Sequence, residues 1–406
     1  MKKILKYDLI AGLSVFLVAI PLCLGIALAC GAPLISGLMA GVIGGIVIGL
    51  LSDSHLSVSG PAAGLVAIVL VGITELGSYS AFVAAVTLAG LIQICMGVAK
   101  AGKLTRLLPH SVIEGMMAAI GIILILKQYP IFIGQNADTG HHLMIIGLGV
   151  FSLVLLFTWD IFFSHRLKFI PGSLIVVLIG IVATLVLNMT MYRADVDHSY
   201  FVQIPAINSL TELTSLFIFP DWSTLTNPLL YKTAIVLALV ASIESLLCVN
   251  AIERLDPEGR HTNKNRELIA QGAGNTLSGL IGGLPITSVI VRSSVNLNAG
   301  AKSKASAVIH GVLIILVLFL GSALMNHVPL VSLSAVLMFT GYKLAHPKHF
   351  ITAWKTSKID FMAFVLTATI VVLNDLLVGV LAGIAFYYTL LQLQKTYQRT
   401  DQVKPT

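Results

Sequence analysis

The residues best suited to chemistry lie in two stretches, "SVSGPAAG" at 57–64 and "GGLPITSVIVRSS" at 282–294. Each sets a proline close behind a glycine in apolar surroundings. Gly60-Pro61 permits a sharp entry into a helix, because proline in the first turn gives up an N–H that is unpaired there anyway. Ser57 and Ser59 are candidate caps. A helix from Pro61 to about Glu75 is about 22 Å long, and one from Ile286 or Thr287 to about Asn298 is shorter still. Both fall short of a hydrocarbon layer of about 30 Å, so each can begin inside it. A helix start carries unpaired N–H groups and about half a unit of positive charge. Two such starts facing a common gap make an anion site.

Arg292 lies about five residues into the second of these helices. A charge at the centre of a bilayer costs at least about 2.5–3.5 kcal/mol, so it faces a cavity or a partner. It stands beside a bound anion, or it snorkels to an interface or ties two helices together. Glu244, in "LVASIESLLCVN", is a carboxylate well inside a long apolar run, whereas Asp8, Glu114 and Asp375 lie near the ends of theirs. It either forms a static ion pair with Arg292 or takes a proton or Na+ and so couples a cation to the anion. Ser242, Ser245 and Asn250 offer oxygens nearby, although such residues also serve as glue between helices. Pro21 breaks the first apolar run at the matching place and frees a carbonyl one turn earlier; a plain packing kink is the alternative. The histidines (His141, His142, His198, His310 and His327) lack zinc-ligand spacing. Cys23, Cys30, Cys95 and Cys248 fall in apolar stretches with no metal or disulfide pattern. No nucleophile–base pair, nucleotide loop or metal cluster is recognisable, so neither an enzyme nor a cofactor is expected.

The elements that must hold these residues follow from composition. Of 406 residues, 57% are hydrophobic and 11% charged, with a mean hydropathy of +0.94. Soluble domains carry about 25% charged residues, so the chain is expected to be an integral membrane protein. The basic opening and its apolar run exceed the roughly 7–15 residues of a signal core, which makes it the first retained span. Fourteen spans are expected, near 8–31, 33–52, 57–76, 80–99, 110–128, 142–162, 170–190, 230–252, 266–283, 284–300, 304–325, 328–345, 359–374 and 375–394. All but four of the 25 Lys and Arg then fall on one side, the exceptions being Lys127, Arg193, Lys232 and Arg292. The positive-inside rule makes that side cytoplasmic and puts both termini there. It also accounts for the net charge of +7 without a nucleic-acid partner. The outer loop 191–229 is expected to be an ordered surface excursion.

The halves echo each other at an offset of roughly 220 residues. "FLVAIPLCLGIA" at 16–27 matches "ALVASIESLLCVNA" at 238–251, and the two proline stretches occupy equivalent places. Seven spans per half is an odd number, so the repeat is inverted, a pattern that points to a secondary transporter with its site near the midplane.

The run "NRELIAQGAGN…GGLPIT…RSSVN…AG", with "DLIAGLSVFLVAIPLCLGIA", "SGPAAG" and "LLPHSVIEGM", resembles the sulfate permease family (SulP), bacterial relatives of the mammalian sulfate/anion exchangers and prestin. The resemblance covers nearly the whole chain. It implies an all-α polytopic membrane protein of fourteen segments in a 7+7 inverted repeat. A core sub-domain (8–100 and 230–325) would move against a gate sub-domain (107–192 and 327–395) in an elevator-like cycle. The family's anion-site positions fall here on Gly60, Pro61, Ala62 and Ala63 and on Thr287, Ser288 and Val289; its arginine matches Arg292 and its acid Glu244. The cytoplasmic STAS domain usual in the family is not expected in this chain. The implied function is entry of bicarbonate or sulfate into the cell across the plasma (inner) membrane, coupled to Na+ or H+. An uncoupled anion channel or exchanger is the alternative. A nucleobase permease of the same fold suits the residues less, because such sites need carboxylates facing a neutral base. A homodimer is left open.

Overall fold

The computed structural model describes residues 2–103, 109–135, 142–163, 171–190, 200–205, 209–321, 325–374 and 376–402. The expectations for His141, Arg193, His198 and Asp375 fall outside them. The first seven membrane helices are α1 (Lys2–Ala29), α2 (Leu34–Leu51), α3 (Val66–Leu76), α4 (Tyr79–Val98), α5 (His110–Phe132), α6 (His142–Phe162) and α7 (Gly172–Thr190). The second seven are α8 (Pro228–Leu255), α9 (Lys264–Ile281), α10 (Ile290–Asn298), α11 (Ala305–Leu320), α12 (Leu330–Leu344), α13 (Lys358–Leu373) and α14 (Leu376–Gln402). These are the fourteen segments of a 7+7 inverted repeat. Among the described residues, α1, α2, α4, α5, α6 and α8 are each long and apolar enough to cross a membrane unaided. Two shorter helices, Leu210–Ser215 and Pro347–Thr356, lie in the connections. In the described part of the connection 191–229, Val202 N–H donates to the Val328 carbonyl (3.0 Å).

The expected helix starts are replaced by strands. Strand β1 (Ser59–Pro61) precedes α3, and β2 (Ile286–Ser288) precedes α10. They pair antiparallel, with Gly60 opposite Thr287. A short 3-10 turn, Ala63–Leu65, then leads into α3. The helices therefore begin at Val66 and Ile290, later than Pro61 and Ile286 or Thr287. The physical reason is backbone satisfaction. A broken helix in an apolar layer leaves N–H and C=O groups that lipid cannot pair, and two extended segments solve this for each other. Because β1 and β2 run in opposite directions, α3 and α10 leave the pair in opposite directions, as the third helix of each inverted half should.

Pro21 does not break its helix. α1 runs unbroken through it, against the expectation, because one missing N–H costs a single ladder bond that a packed membrane helix tolerates. The local irregularity lies instead in α2, where Gly44–Ile48 widens to a π segment. Gly44 stands against β1: a Cβ there would sit 2.4 Å from the Ser59 carbonyl oxygen. Helices α4 and α9 approach just as closely, and a Cβ on Gly90 or on Gly272 would meet the other's carbonyl oxygen at 2.6 Å. Small residues supply such contact where lipid offers no hydrophobic drive.

The described chain forms two compact units, residues 1–103 with 127–339, and 104–126 with 340–406. The first contains both strands and every candidate site residue. In the second, Ala118, Ala353 and Phe364 form a small buried core.

Candidate functional site

The strand pair is held from outside by a network of buried amides. Asn275 of α9 accepts from Ile286 N–H (2.6 Å) and donates to the Ile286 carbonyl (2.9 Å) and to Gln93 Oε1 of α4 (2.7 Å). Gln271, one turn earlier on α9, donates to Ser59 Oγ of β1 (2.8 Å) and to Glu267 Oε1 (2.8 Å). Glu267 Oε2 accepts from Ser52 Oγ at the end of α2. Each strand is thus fixed by its own amide of α9, and buried polar groups so paired make one geometry unique.

Ser57 and Ser59 do not act as caps. Ser57 Oγ accepts from Ser54 Oγ (2.7 Å) and Ser59 Oγ from Gln271. No side chain caps the Ala63–Leu65 turn, α3 or α10. In contrast, Ser78, Asn227, Asn263 and Ser357 cap α4, α8, α9 and α13. The first ladder bond of the turn before α3 runs from Leu65 N–H to the Ala62 carbonyl, and that of α10 from Ser293 N–H to the Val289 carbonyl. The amides of Ala63 and Gly64, and those of Ile290, Val291 and Arg292, therefore precede the ladders and meet no capping side chain.

The expected anion-site positions divide accordingly. Gly60, Pro61 and Ala62 are buried at the strand pair, Pro61 has no N–H to offer, and Ala63 is half-buried at the helix start. Ser288 N–H donates to Ser245 Oγ (3.1 Å), and Val289 N–H to the Val58 carbonyl (2.9 Å). Ser288 Oγ donates to Cys248 Sγ (3.3 Å), and Thr287 Oγ to the neighbouring Ser288 carbonyl (3.3 Å). The donors of Ser288 and Val289 are therefore committed within the protein. Those left open lie a few residues further on.

Arg292 stands in the first turn of α10, nearer its start than expected, and is fully buried. Nη2 donates to Cys23 Sγ of α1 (3.3 Å), while Nε and Nη1 have no hydrogen-bond partner in the protein. Among the described residues no carboxylate lies within 4.0 Å of it, so the static ion pair with Glu244 is not present. The guanidinium lies against Gly60, where a Cβ would be 2.0 Å from Nη1. The guanidinium thus lies against β1 with two donor atoms unspent, while the uncapped amides follow β1 and β2 in the chain.

Glu244 of α8 reaches the Ala63–Leu65 turn at its middle residue, Gly64. A Cβ on Gly64 would meet Oε1 at 2.6 Å and Oε2 at 2.7 Å, and Oε2 is enclosed without a hydrogen bond. Ser242 and Ser245 do not share its carboxylate: Ser242 Oγ accepts from Gln93 Nε2 (3.2 Å), and Ser245 Oγ from the Ser288 amide. Among the described residues two other carboxylates, Asp8 and Glu267, are buried, whereas Glu244 is half-buried. Both differ from Glu244 in being satisfied: Asp8 Oδ1 accepts from the amides of Lys302 (2.7 Å) and Ser303 (3.0 Å).

Sequence reasoning did not single out Gln93, Glu267, Gln271, Asn275 or Cys23 as site residues. The α9 set had a signal. Glu267, Gln271 and Asn275 recur every four residues in "NRELIAQGAGN", which lines one helix face with polar groups. Cys23 had none, because its role exists only through Arg292.

The sequence matches the model described as "Sulfate permease family" over residues 5–367. It is 31% identical over 390 residues to the putative sulfate transporter YvdB of Bacillus subtilis (strain 168), covering 93% of this chain and 72% of that protein. It is 26% identical over 413 residues to the bicarbonate transporter BicA of Picosynechococcus sp., covering 94% and 69%. The solved transmembrane domain of a cyanobacterial bicarbonate transporter, BicA, superposes with a TM-score of 0.74 at 24% identity, covering 93% of this chain and 97% of that one.

Proposed function

This chain belongs to the sulfate permease family, and from that premise we propose that it is a secondary active transporter of a small inorganic oxyanion, bicarbonate or sulfate. The relatives named for sulfate and for bicarbonate transport support that substrate class. The observation that carries the reading is the Arg292 guanidinium: fully buried, two of its donor atoms without partners, in the first turn of an uncapped half-helix beside β1. A buried cation with spare N–H donors is stabilised by an anion that accepts from them, and the open amides of Ala63, Gly64 and Ile290 add to the same field.

The direction is into the cell across the plasma membrane, with both termini cytoplasmic, as the side bias of Lys and Arg supports. Glu244 is the coupling group. It stands at Gly64, next to the open amides, with a carboxylate oxygen unsatisfied. With H+ or Na+ on that carboxylate the site is net positive and accepts the anion; without it, Glu244 and the anion repel. The core segments 8–100 and 230–325 then carry the site past the gate segments 107–192 and 327–395. A homodimer suits such a cycle, since one copy can brace the other's gate. The commitments of Ser242 and Ser245 favour a second reading, an uncoupled exchanger or channel, because they take two oxygens away from a Na+ site.

Uptake of labelled bicarbonate and sulfate into liposomes holding the purified protein, with and without inward Na+ or H+ gradients, tests this. Uptake of either anion driven by one gradient is expected. Uptake indifferent to both gradients makes the uncoupled reading correct, and no uptake of either anion overturns the substrate class.

A further inference from the structure

The connection between α12 and α13 holds a short helix, Pro347–Thr356, with a three-part surface. At about 100° per residue, Phe350 and Ala353 share one sector, Trp354 and Ile351 the next, and Lys355 and Lys348 the one after. The first sector is docked. Ala353 is buried, and the Phe350 ring meets Phe364 edge-on at 4.6 Å between centroids. The second is apolar yet open, with Ile351 52% and Trp354 63% exposed, although Trp354 leans its edge on Phe361 at 4.8 Å. The third is cationic and exposed, and among the described residues neither Lys348 nor Lys355 lies within 4.0 Å of a carboxylate. Lys358, at the start of α13, is likewise exposed and without such a pair.

We infer that this helix is an interfacial docking surface for anionic phospholipid, with Trp354 and Ile351 in the acyl boundary and Lys348 and Lys355 on the headgroups. Its place in the chain supplies the occupant. It joins two membrane helices within a few residues at either end, so it lies at the level where both leave the hydrocarbon. A helix there with tryptophan and isoleucine beside a lysine stripe is the composition that settles in the headgroup region. The apolar sector lies between the docked one and the lysines, so it meets the bilayer when the docked sector faces the protein. The charge that complements the lysines is a lipid phosphate.

The test uses the full chain with Trp159→Phe and Trp222→Phe, which leaves Trp354 alone of the three tryptophans. In liposomes, quenching of Trp354 by brominated phosphatidylglycerol is compared with quenching by brominated phosphatidylcholine. Preference for phosphatidylglycerol is expected, falling about fivefold for Lys348→Gln or Lys355→Gln and about 25-fold for both, from about 1 kcal/mol per lysine near such a surface. Screening by high salt should weaken it as well. Equal quenching by the two lipids, an unchanged preference in the double variant, or no quenching by either overturns the inference. So does loss of the preference on adding millimolar inorganic phosphate, which would assign the lysines to a free ion. All four positions are exposed or half-buried, and monodisperse elution confirms that each variant has folded.

Discussion

Replacing Gly60 by alanine isolates the guanidinium at the strand pair without touching its charge. Gly60 is not among the glycines with positive φ, so alanine meets no backbone penalty there. Its Cβ would lie 2.0 Å from Arg292 Nη1, and restoring an ordinary 3.4 Å contact makes the guanidinium retreat by about 1.4 Å. Consider an anion whose contact with Arg292 lengthens from about 3 to about 4.4 Å. At an effective dielectric of about 20, a monovalent anion loses about 1.8 kcal/mol, about twentyfold in Kd. A divalent anion loses twice that, which is several hundredfold. Titration calorimetry with bicarbonate and with sulfate on detergent-solubilised Gly60→Ala should therefore show weaker binding of both and a steeper loss for sulfate. A folded variant that binds either anion as the wild type does, or loses both equally, would refute the assignment of Arg292 as the anion's partner.

Glu244→Gln mimics the neutral carboxyl that accepts the anion, so it should bind the anion at least as tightly as the wild type, while abolishing gradient-driven uptake in liposomes; pumping at the wild-type rate would disprove the coupling role. Asn275→Ala strands the Ile286 N–H and the Gln93 Oε1 in a buried site, at about 1–3 kcal/mol for each unpaired group. Its thermal midpoint should drop clearly, and an unchanged Tm would show that the amide network does not hold the strands. On the polar surface, hydrogen bonds from the Arg260 guanidinium hold the Asp256 carboxyl below the usual carboxylate range. Because the native value is depressed, that stabilisation is full above about pH 4 and fades as pH falls through the native value. The Tm gap between wild type and Asp256→Asn should close in step; a gap constant down to pH 2 would refute the linkage.

Much of the architecture was legible because membrane insertion is a local property. A run of about 20 apolar residues reports its own burial in lipid, so the fourteen spans match helices to within a few residues at most ends. Glycine and proline marked where two helices start late, and the placement of Arg292 and Glu244 inside apolar runs marked them as candidates. Chain position alone fixed those facts. What the same residues touch is decided between segments far apart. Ser59 and Gln271 stand 212 residues apart, Arg292 and Cys23 269, and the pairing of Gly60 with Thr287 joins the two halves. Tertiary structure turned the expected helix starts into strands, moved the open amides a few residues along, and left Arg292 unpaired with Glu244. It did so because a severed backbone buried away from water must find its partners elsewhere in the fold, and hydropathy along the chain carries no record of which partner that is.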